Sequence, residues 1–549
     1  MNDRSDPVSA EDNSAGRKVS GPRAEAFSAW SLPAVLVLAL AGPVAAAVWT
    51  GTVGYWDDPA NWDTGVPNAA GGWAIGNVQN GGTAIVRSAV PAVNEAWAGN
   101  GGGPGTIVVT NGGVLTVNNW LVIARMYQSL VETPLSRLIV ENGALQKSGN
   151  GLIVGDNYQG LSSPGEMIVA GTATVNVTGG WWGIGNGAAS RGLLVLRDQA
   201  LVNASGYDFN VGDYGGAVGL CFLSNRATLN VSRFWVGKFD TVSGALWQSG
   251  GAVVGTGANA NEWCIGGENA ASATAYGFYA LLDGMLICPF NFQVGRYGYG
   301  VFYQSGGTNV QSGWCDTARF VGSIGVAWFS GGRFLHDGLN TRYMIGENGR
   351  GEVSVTHAAE VETVRPMVFA NGEALLALKE GTLIVPGFEK WVGTSYLAWD
   401  GGILRARGDH PEFLPAGVND VRLFAGGAVV DTAGHEITFR AALRAPAGQG
   451  IRSIPLLTRG TGYIGAPIVQ IQGDGTGAMA VAQVDPSSGQ LTNILITSPG
   501  HGYTYAVATL LGRGTPDPAT LGTPVLGPVG SGGLLKRGRG TLSLAEANT

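Results

Sequence analysis

Short apolar runs recur along this chain, each closing on Val, Ile or Phe, then Gly or Ala, then polar turn residues. The clearest are Ile153-Val154-Gly155, Gly183-Ile184-Gly185, Asn210-Val211-Gly212, Trp235-Val236-Gly237, Cys264-Ile265-Gly266, Gln293-Val294-Gly295, Phe320-Val321-Gly322 and Met344-Ile345-Gly346. Val122-Ile123-Ala124, Val368-Phe369-Ala370 and Trp391-Val392-Gly393 are weaker members. Successive closing residues lie 23 to 31 positions apart, giving eleven units. Within a unit, other runs of about four residues, such as Leu193-Leu194-Val195-Leu196 and Ala200-Leu201-Val202-Asn203, are too short for helices and suit strands. A unit this small cannot close its own core, whereas stacked coils pair their strands in parallel about 4.8 Å apart. The pattern predicts an all-β chain: a right-handed parallel β-helix of about eleven coils, on the order of 50 Å long.

Alternation assigns the faces. Two residues before the aliphatic position, five consecutive units carry Trp182, Phe209, Phe234, Trp263 and Phe292, and Tyr343 resumes the series. Residues two apart share a strand face, so these aromatics are expected inside, stacked with the Val/Ile column. An exposed aromatic strip for sugar stacking is the competing reading. Cys288 and Cys315 each precede a closing glycine by seven residues, which places them one rung apart and within the Cα range of a disulfide. In-register parallel neighbours orient poorly for that bond, so a reduced stacked pair is the alternative. Cys221 and Cys264 read as buried small residues.

Composition narrows the class further. Of 549 residues, 91 are glycine and 13% are charged, while 45% are hydrophobic. That glycine content disfavours helices, each interior glycine costing roughly 1 kcal/mol against alanine, and collagen is excluded because no three-residue register is kept. A net charge of −7 without a basic run argues against nucleic acid. Arg17, Lys18 and Arg23, then an apolar stretch at 32–40 and Ala45-Ala46-Ala47, read as a signal peptide over 1–47, cleaved before Val48. An uncleaved anchor is the other reading of that stretch. Elsewhere no segment is apolar enough for membrane insertion, so with the leader removed the mature chain is expected to be secreted or at the cell surface.

The flanks differ from the coils. Trp49, Trp56 and Trp62, interleaved with Asn, Asp and Pro, suit an aromatic cap over 48–104 that covers the end of a β-helix spanning 105–394. Asp57, Asp58 and Asp63 lack calcium-loop spacing. Gly460-Thr461-Gly462-Tyr463 recurs loosely as Gly500-His501-Gly502-Tyr503, each copy preceding a strand, which predicts a small β-insert over 452–514.

Trp399-Asp400-Gly401-Gly402-Ile403-Leu404-Arg405-Ala406, then Gly426-Gly427-Ala428 through Asp431-Thr432-Ala433-Gly434-His435, resemble segments of secreted bacterial proteins carrying autotransporter-associated β-strand repeats. The run Gly532-Gly533-Leu534-Leu535-Lys536-Arg537-Gly538-Arg539-Gly540-Thr541-Leu542-Ser543-Leu544 is similar to that repeat itself. The resemblance implies further passenger-like coils over 395–451 and the start of a repeat over 515–549. It also implies an exported, adhesin-like scaffold working in adhesion or matrix assembly, with an extracellular glycan or another surface protein as partner.

Candidate chemistry is sparse. His336, His357, His410, His435 and His501 show no metal-ligand spacing, and no nucleophile elbow is present. The turn after each closing residue reads Asp156, Asn186, Asp213, Lys238, Gly267, Arg296, Ser323 and Glu347, a mixed-sign column expected to be a solvated face. Arg407-Gly408-Asp409 reads as an ordinary turn. No catalytic, metal or cofactor residue is expected, and no cleft of carboxylates with Arg or Lys. Such a cleft would favour the alternative, a glycan-binding or polysaccharide-degrading β-helix (a lyase or glycoside hydrolase).

Overall fold

The computed structural model describes residues 46–70, 74–125, 135–158, 160–257, 262–512 and 517–548. Three parallel ladders wind about one axis through about 14 turns. The first ladder runs from Ala46–Val48, Ile75–Val78 and Glu95–Ala98 to Phe388–Lys390. The second begins at Val53–Tyr55 and reaches Asp420–Leu423. The third runs from Val114–Val117 to Ala428–Asp431. At about 4.8 Å per rung the stack extends roughly 65 Å.

Alternation positions each strand. Thr174–Val177 and Thr83–Val86 bury every second residue, and the inward residues join one core that continues from Ala47 to Leu443. Trp182, Phe209, Phe234, Trp263 and Phe292 occupy successive rungs in register, all buried. Their ring centroids are 5.1 Å, 5.8 Å and 5.2 Å apart along the first four. Cys315 and then Tyr343 take the next two places. On the third ladder, outward amides bond rung to rung, Asn203 donating to Asn176 and Asn230 to Asn203, each at 2.7 Å.

Two columns of glycine meet at one corner. From Gly99 to Gly346 the residue closing each first-ladder strand is left-handed, as at Gly185 (φ 75°), and turns the chain toward the second ladder. Against it packs a second column, Gly165, Gly192, Gly219, Gly244, Gly277, Gly300, Gly325 and Gly351, in eight consecutive rungs. A Cβ on Gly192 would lie 2.2 Å from both the Gly185 nitrogen and the Val154 oxygen, so only hydrogen fits.

Several expectations are corrected here. The helix has about 14 turns rather than eleven, because three rungs, Ala46–Val48, Ile75–Val78 and Glu95–Ala98, come before the first unit marked in the sequence, from the end of the expected signal peptide through the expected cap. The aromatic plug itself is present: Trp49 and Trp56 pack edge-on against Trp62, 5.0 Å and 4.9 Å away, at the first rungs. Two marks are out of register. The strand partnering Phe292–Val294 is Cys315–Thr317, so Ala318 (φ 61°) holds the corner seat, while Val321 is 86% exposed in a following turn. Likewise Phe388–Lys390 pairs with Met367–Phe369, leaving Val392 93% exposed. Cys288 and Cys315 are therefore not stacked neighbours. Cys288 pairs with Gln311 on the third ladder and Cys315 with Phe292 on the first, and both are free buried thiols. Most of the expected signal peptide lies outside the described residues; its last two, Ala46 and Ala47, belong to the first rung.

After Glu436–Phe439 the chain leaves the solenoid and builds an antiparallel insert before returning at Leu534–Arg537. Its stem pairs Gln449–Ser453 with Val525–Pro528 and Leu456–Thr458 with Thr520–Leu521, so it is longer than the 452–514 expected. Its sheet orders Gln490–His501, Thr476–Asp485, Ile468–Gly473 and Ala506–Leu511. The strands following the two glycine-tyrosine copies pair with each other, Val469 opposite Leu510. The insert lies on the second ladder: the Trp247 indole donates to the Ile464 carbonyl (2.8 Å) and the Tyr276 hydroxyl to that of Ala466 (2.7 Å). Under it Ile324–Phe329 is buried on both faces, where uncovered Arg191–Leu196 alternates.

The repeat-like C-terminal segment forms a closing rung. Leu534–Arg537 pairs with Ala428–Asp431 and Thr541–Leu544 with Glu436–Phe439. Lys536 donates to the Gly538 and Gly540 carbonyls at 2.8 Å and 2.7 Å, bracing the glycine turn. Lys147 braces its turn the same way, reaching the Ser148 and Asn150 carbonyls.

Candidate functional site

The outward row of the first ladder alternates with its core residues and reads Gly183, Asn210, Trp235, Cys264, Gln293, Asp316 and Met344. From Asn210 onward it points away from the core yet is buried. Long charged side chains from the corner and from strand starts close over it. Lys238 reaches Asp208 at 2.5 Å and lies 4.0 Å from Asp213 and 3.9 Å from Glu268; Arg233 pairs with Asp208 at 3.0 Å. Arg233, Lys238 and Arg296 each stand 5.7 Å from the Trp235 ring, and Arg296 pairs with Glu262.

The turn column expected to be solvated is thus a half-dry ion network, and Arg319 takes the place assigned to Ser323. Burial pushes Asp213 up to about 6, against the pull of Lys238, and raises Asp156 and Glu268 as well. The sign follows from linkage. Between the ordinary carboxylate range and about 6, the folded chain holds the Asp213 proton that the unfolded chain has released, so stability falls as pH rises across that window. Asp213→Asn is expected to remove a fall on the order of 2–3 kcal/mol. Urea-unfolding midpoints at pH 4 and pH 7 test this; equal pH dependence in the variant and the parent would contradict it.

At the far end of the strip, Asn291, Trp314, Asp316, Arg319, Met344, Glu347 and Trp391 surround a groove of about 340 Å³. Backbone bonds hold the two tryptophans: the Trp314 carbonyl accepts from the Phe292 amide (2.7 Å), its amide donates to Asn291 Oδ1 (3.1 Å), and the Trp391 amide donates to the Phe369 carbonyl (2.8 Å). Arg319 stands between two acids, Nη1 3.5 Å from Asp316 Oδ2 and Nε 3.7 Å from Glu347 Oε2. Neither Asp316 oxygen makes a hydrogen bond, nor does Glu347 Oε2 or Arg319 Nε. Burial, reinforced by Glu347, drives the Asp316 carboxyl far above its usual range and toward its protonated form. Burial raises Glu347 too, with Arg319 opposing. Such a groove can hold a ligand with flat apolar faces and polar edges.

Two acids and an arginine line this groove, one acid short of the three convergent acids that would overturn the expectation of no carboxylate cleft. A third acid, Glu262, lies back along the strip on Arg296. The sequence signal was available, since Trp314-Cys315-Asp316-Thr317 alternates like its neighbours, but the alanine in the corner seat concealed it. Other candidates have structural partners. Asp58 caps a short 3-10 turn by accepting from the Ala60 amide (3.0 Å), and Asp63 accepts from the Val48 amide (2.8 Å). Asp409 accepts from the Glu436 amide (2.9 Å) and Arg407 donates to Glu362 (2.9 Å), which ties that tripeptide to adjoining rungs. His501 pairs with Asp420 (2.9 Å), His435 with Asp409 (3.1 Å), and His336 contacts the Gly313 carbonyl (2.8 Å); the histidines do not converge. Among the described residues no His, Cys, Asp and Glu group could hold a metal ion.

Comparison with known proteins gives one structural likeness. The crystal structure of a TibC-catalyzed hyper-glycosylated TibA fragment matches at 12% identity, over 68% of this chain and 87% of that one, with a TM-score of 0.25. No family model and no curated protein matches. At that score the likeness adds nothing to what the ladders themselves establish.

Proposed function

We propose that this protein is an exported β-helical scaffold that works in adhesion or matrix assembly, presenting a recognition surface on a stiff rod. The unbroken core from Ala47 to Leu443 carries the reading. Each coil is held by the coils on either side of it, so the stack is stiff along its axis without needing a ligand to order it. The polar outer ladders and the first-ladder groove provide the surface. The sparse outward charge favours this use too, because like charges stacked at rung spacing repel.

Expression of the full chain in a Gram-negative host, with fractionation and mass spectrometry of the product, tests the proposal. The expected product is extracellular or surface-bound, lacks the N-terminal leader while keeping the first rung at Ala46–Val48, and transfers attachment to cells that otherwise do not adhere. Retention in the cytoplasm with the leader intact would overturn it, as would export without any gain in attachment.

A further inference from the structure

We propose that the groove between Trp314 and Trp391 is a binding site for a neutral saccharide, whose ring faces lie on the two indoles while its hydroxyls reach Arg319 and Glu347. The proposal rests on the reading of the rod as a recognition scaffold and names the class of ligand recognised.

The tryptophans carry the first part of the argument. Most tryptophans of this chain are buried or half-buried. Among the described residues Trp314 and Trp391, at 37% and 38%, are the ones that stand out as exposed. They are far apart in sequence, yet the winding of the coils brings both to one groove. An exposed indole has an apolar face with nothing to cover it, and tryptophan is enriched where one ligand contributes much of the binding energy.

The polar atoms carry the second part. Fully buried Asp316 at the floor makes no hydrogen bond, and beside it Glu347 Oε2 and Arg319 Nε are likewise without one. The ion pairs that Arg319 makes with the two acids, at 3.5 Å and 3.7 Å, are too long to be hydrogen bonds, and a ligand bearing several hydroxyls would supply the bonds they lack. A groove of about 340 Å³ falls in the range of small-ligand sites.

Charge narrows the class. Arg319 is shared between Asp316 and Glu347, so the groove offers no surplus cation to a phosphate or a uronate. Glu347 would repel either. A neutral sugar has apolar C–H faces for the indoles and hydroxyls that both donate to Glu347 and accept from Arg319.

The test uses the purified chain on an array of neutral oligosaccharides (glucans, mannans and galactans) alongside uronic-acid polymers, followed by titration calorimetry with the best binder. Trp314→Ala and Trp391→Ala are each expected to weaken binding about tenfold or more. Trp391→Phe should recover part of the loss, and Tyr207→Ala, an exposed aromatic remote from the groove, should leave binding unchanged. Unfolding midpoints equal to the parent show that the variants fold. No neutral saccharide bound at millimolar concentration would overturn the proposal, as would binding indifferent to both tryptophans or a preference for uronates. New reducing ends during incubation would also overturn it, since the sugar would then be a substrate. Export and attachment with no saccharide binding would remove this inference and leave the scaffold reading standing.

Discussion

Replacing Trp263 by alanine is expected to cost on the order of 3–5 kcal/mol of folding stability, the range for deleting a buried aromatic. Trp263 is fully buried, sits in register between Phe234 and Phe292, and has its ring 5.2 Å from that of Phe234. Its indole nitrogen also donates to the Ser232 carbonyl at 2.9 Å, an acceptor the substitution would leave unpaired. The hole would open in a core that grows in one dimension. Neighbouring rungs are pinned by their own ladders and cannot collapse into it. In a stack governed by contacts between adjacent coils, such a lesion also weakens the coupling between the two halves. Urea unfolding followed by far-UV circular dichroism should therefore show a lowered midpoint and a broadened or divided transition. A loss below about 1 kcal/mol would mean that the aromatic column is not the packed interior described here.

Gly244→Val is expected to be comparably damaging, at or above about 3 kcal/mol, the upper end for overpacking. A Cβ there would stand 1.9 Å from the Val211 oxygen and 2.5 Å from the Gly237 nitrogen. The first is backbone of the preceding coil and the second backbone of the corner that leads into this strand, so neither can swing aside as a side chain would. Gly244 has no positive φ, so the effect isolates steric exclusion from conformational preference. Gly408→Ala is the matched control, because nothing lies within 4 Å of its Cβ position. It should change stability by no more than about 0.5 kcal/mol. Similar midpoints for the two variants would refute the close-packed glycine corner.

These two sites differ in how legible they were. Trp263 could be placed from sequence, because it stands two residues before Ile265 and the alternation of a strand does the rest. Gly244 was not singled out, since the second glycine column has no constant apolar neighbour to mark it. Where the sequence misleads, a residue has taken a seat usually held by another type. Ala318 adopts the left-handed corner conformation, and a Val-Gly pair four residues later imitates the missing mark. Coil lengths vary enough that the imitation still falls within the period. The proposed cysteine stack inherited that error. The early rungs escaped notice for a related reason: Ala98, not Val or Ile, precedes the left-handed Gly99.

From the sequence alone came the class, the period, the inward face of most coils and the presence of a β-insert with two related strands. Each depends on residues close in the chain, where the two-residue repeat of a strand and the freedom of glycine act locally. Tertiary structure decided what covers the outer faces. Residues 217 positions apart meet where Trp247 bonds to Ile464, and stacking brings Trp314 and Trp391, beside first-ladder strands three rungs apart, to one groove. Periodicity along the chain determines which side of a strand faces in; what packs against the other side depends on contacts between distant segments, and those follow only once the coils are stacked.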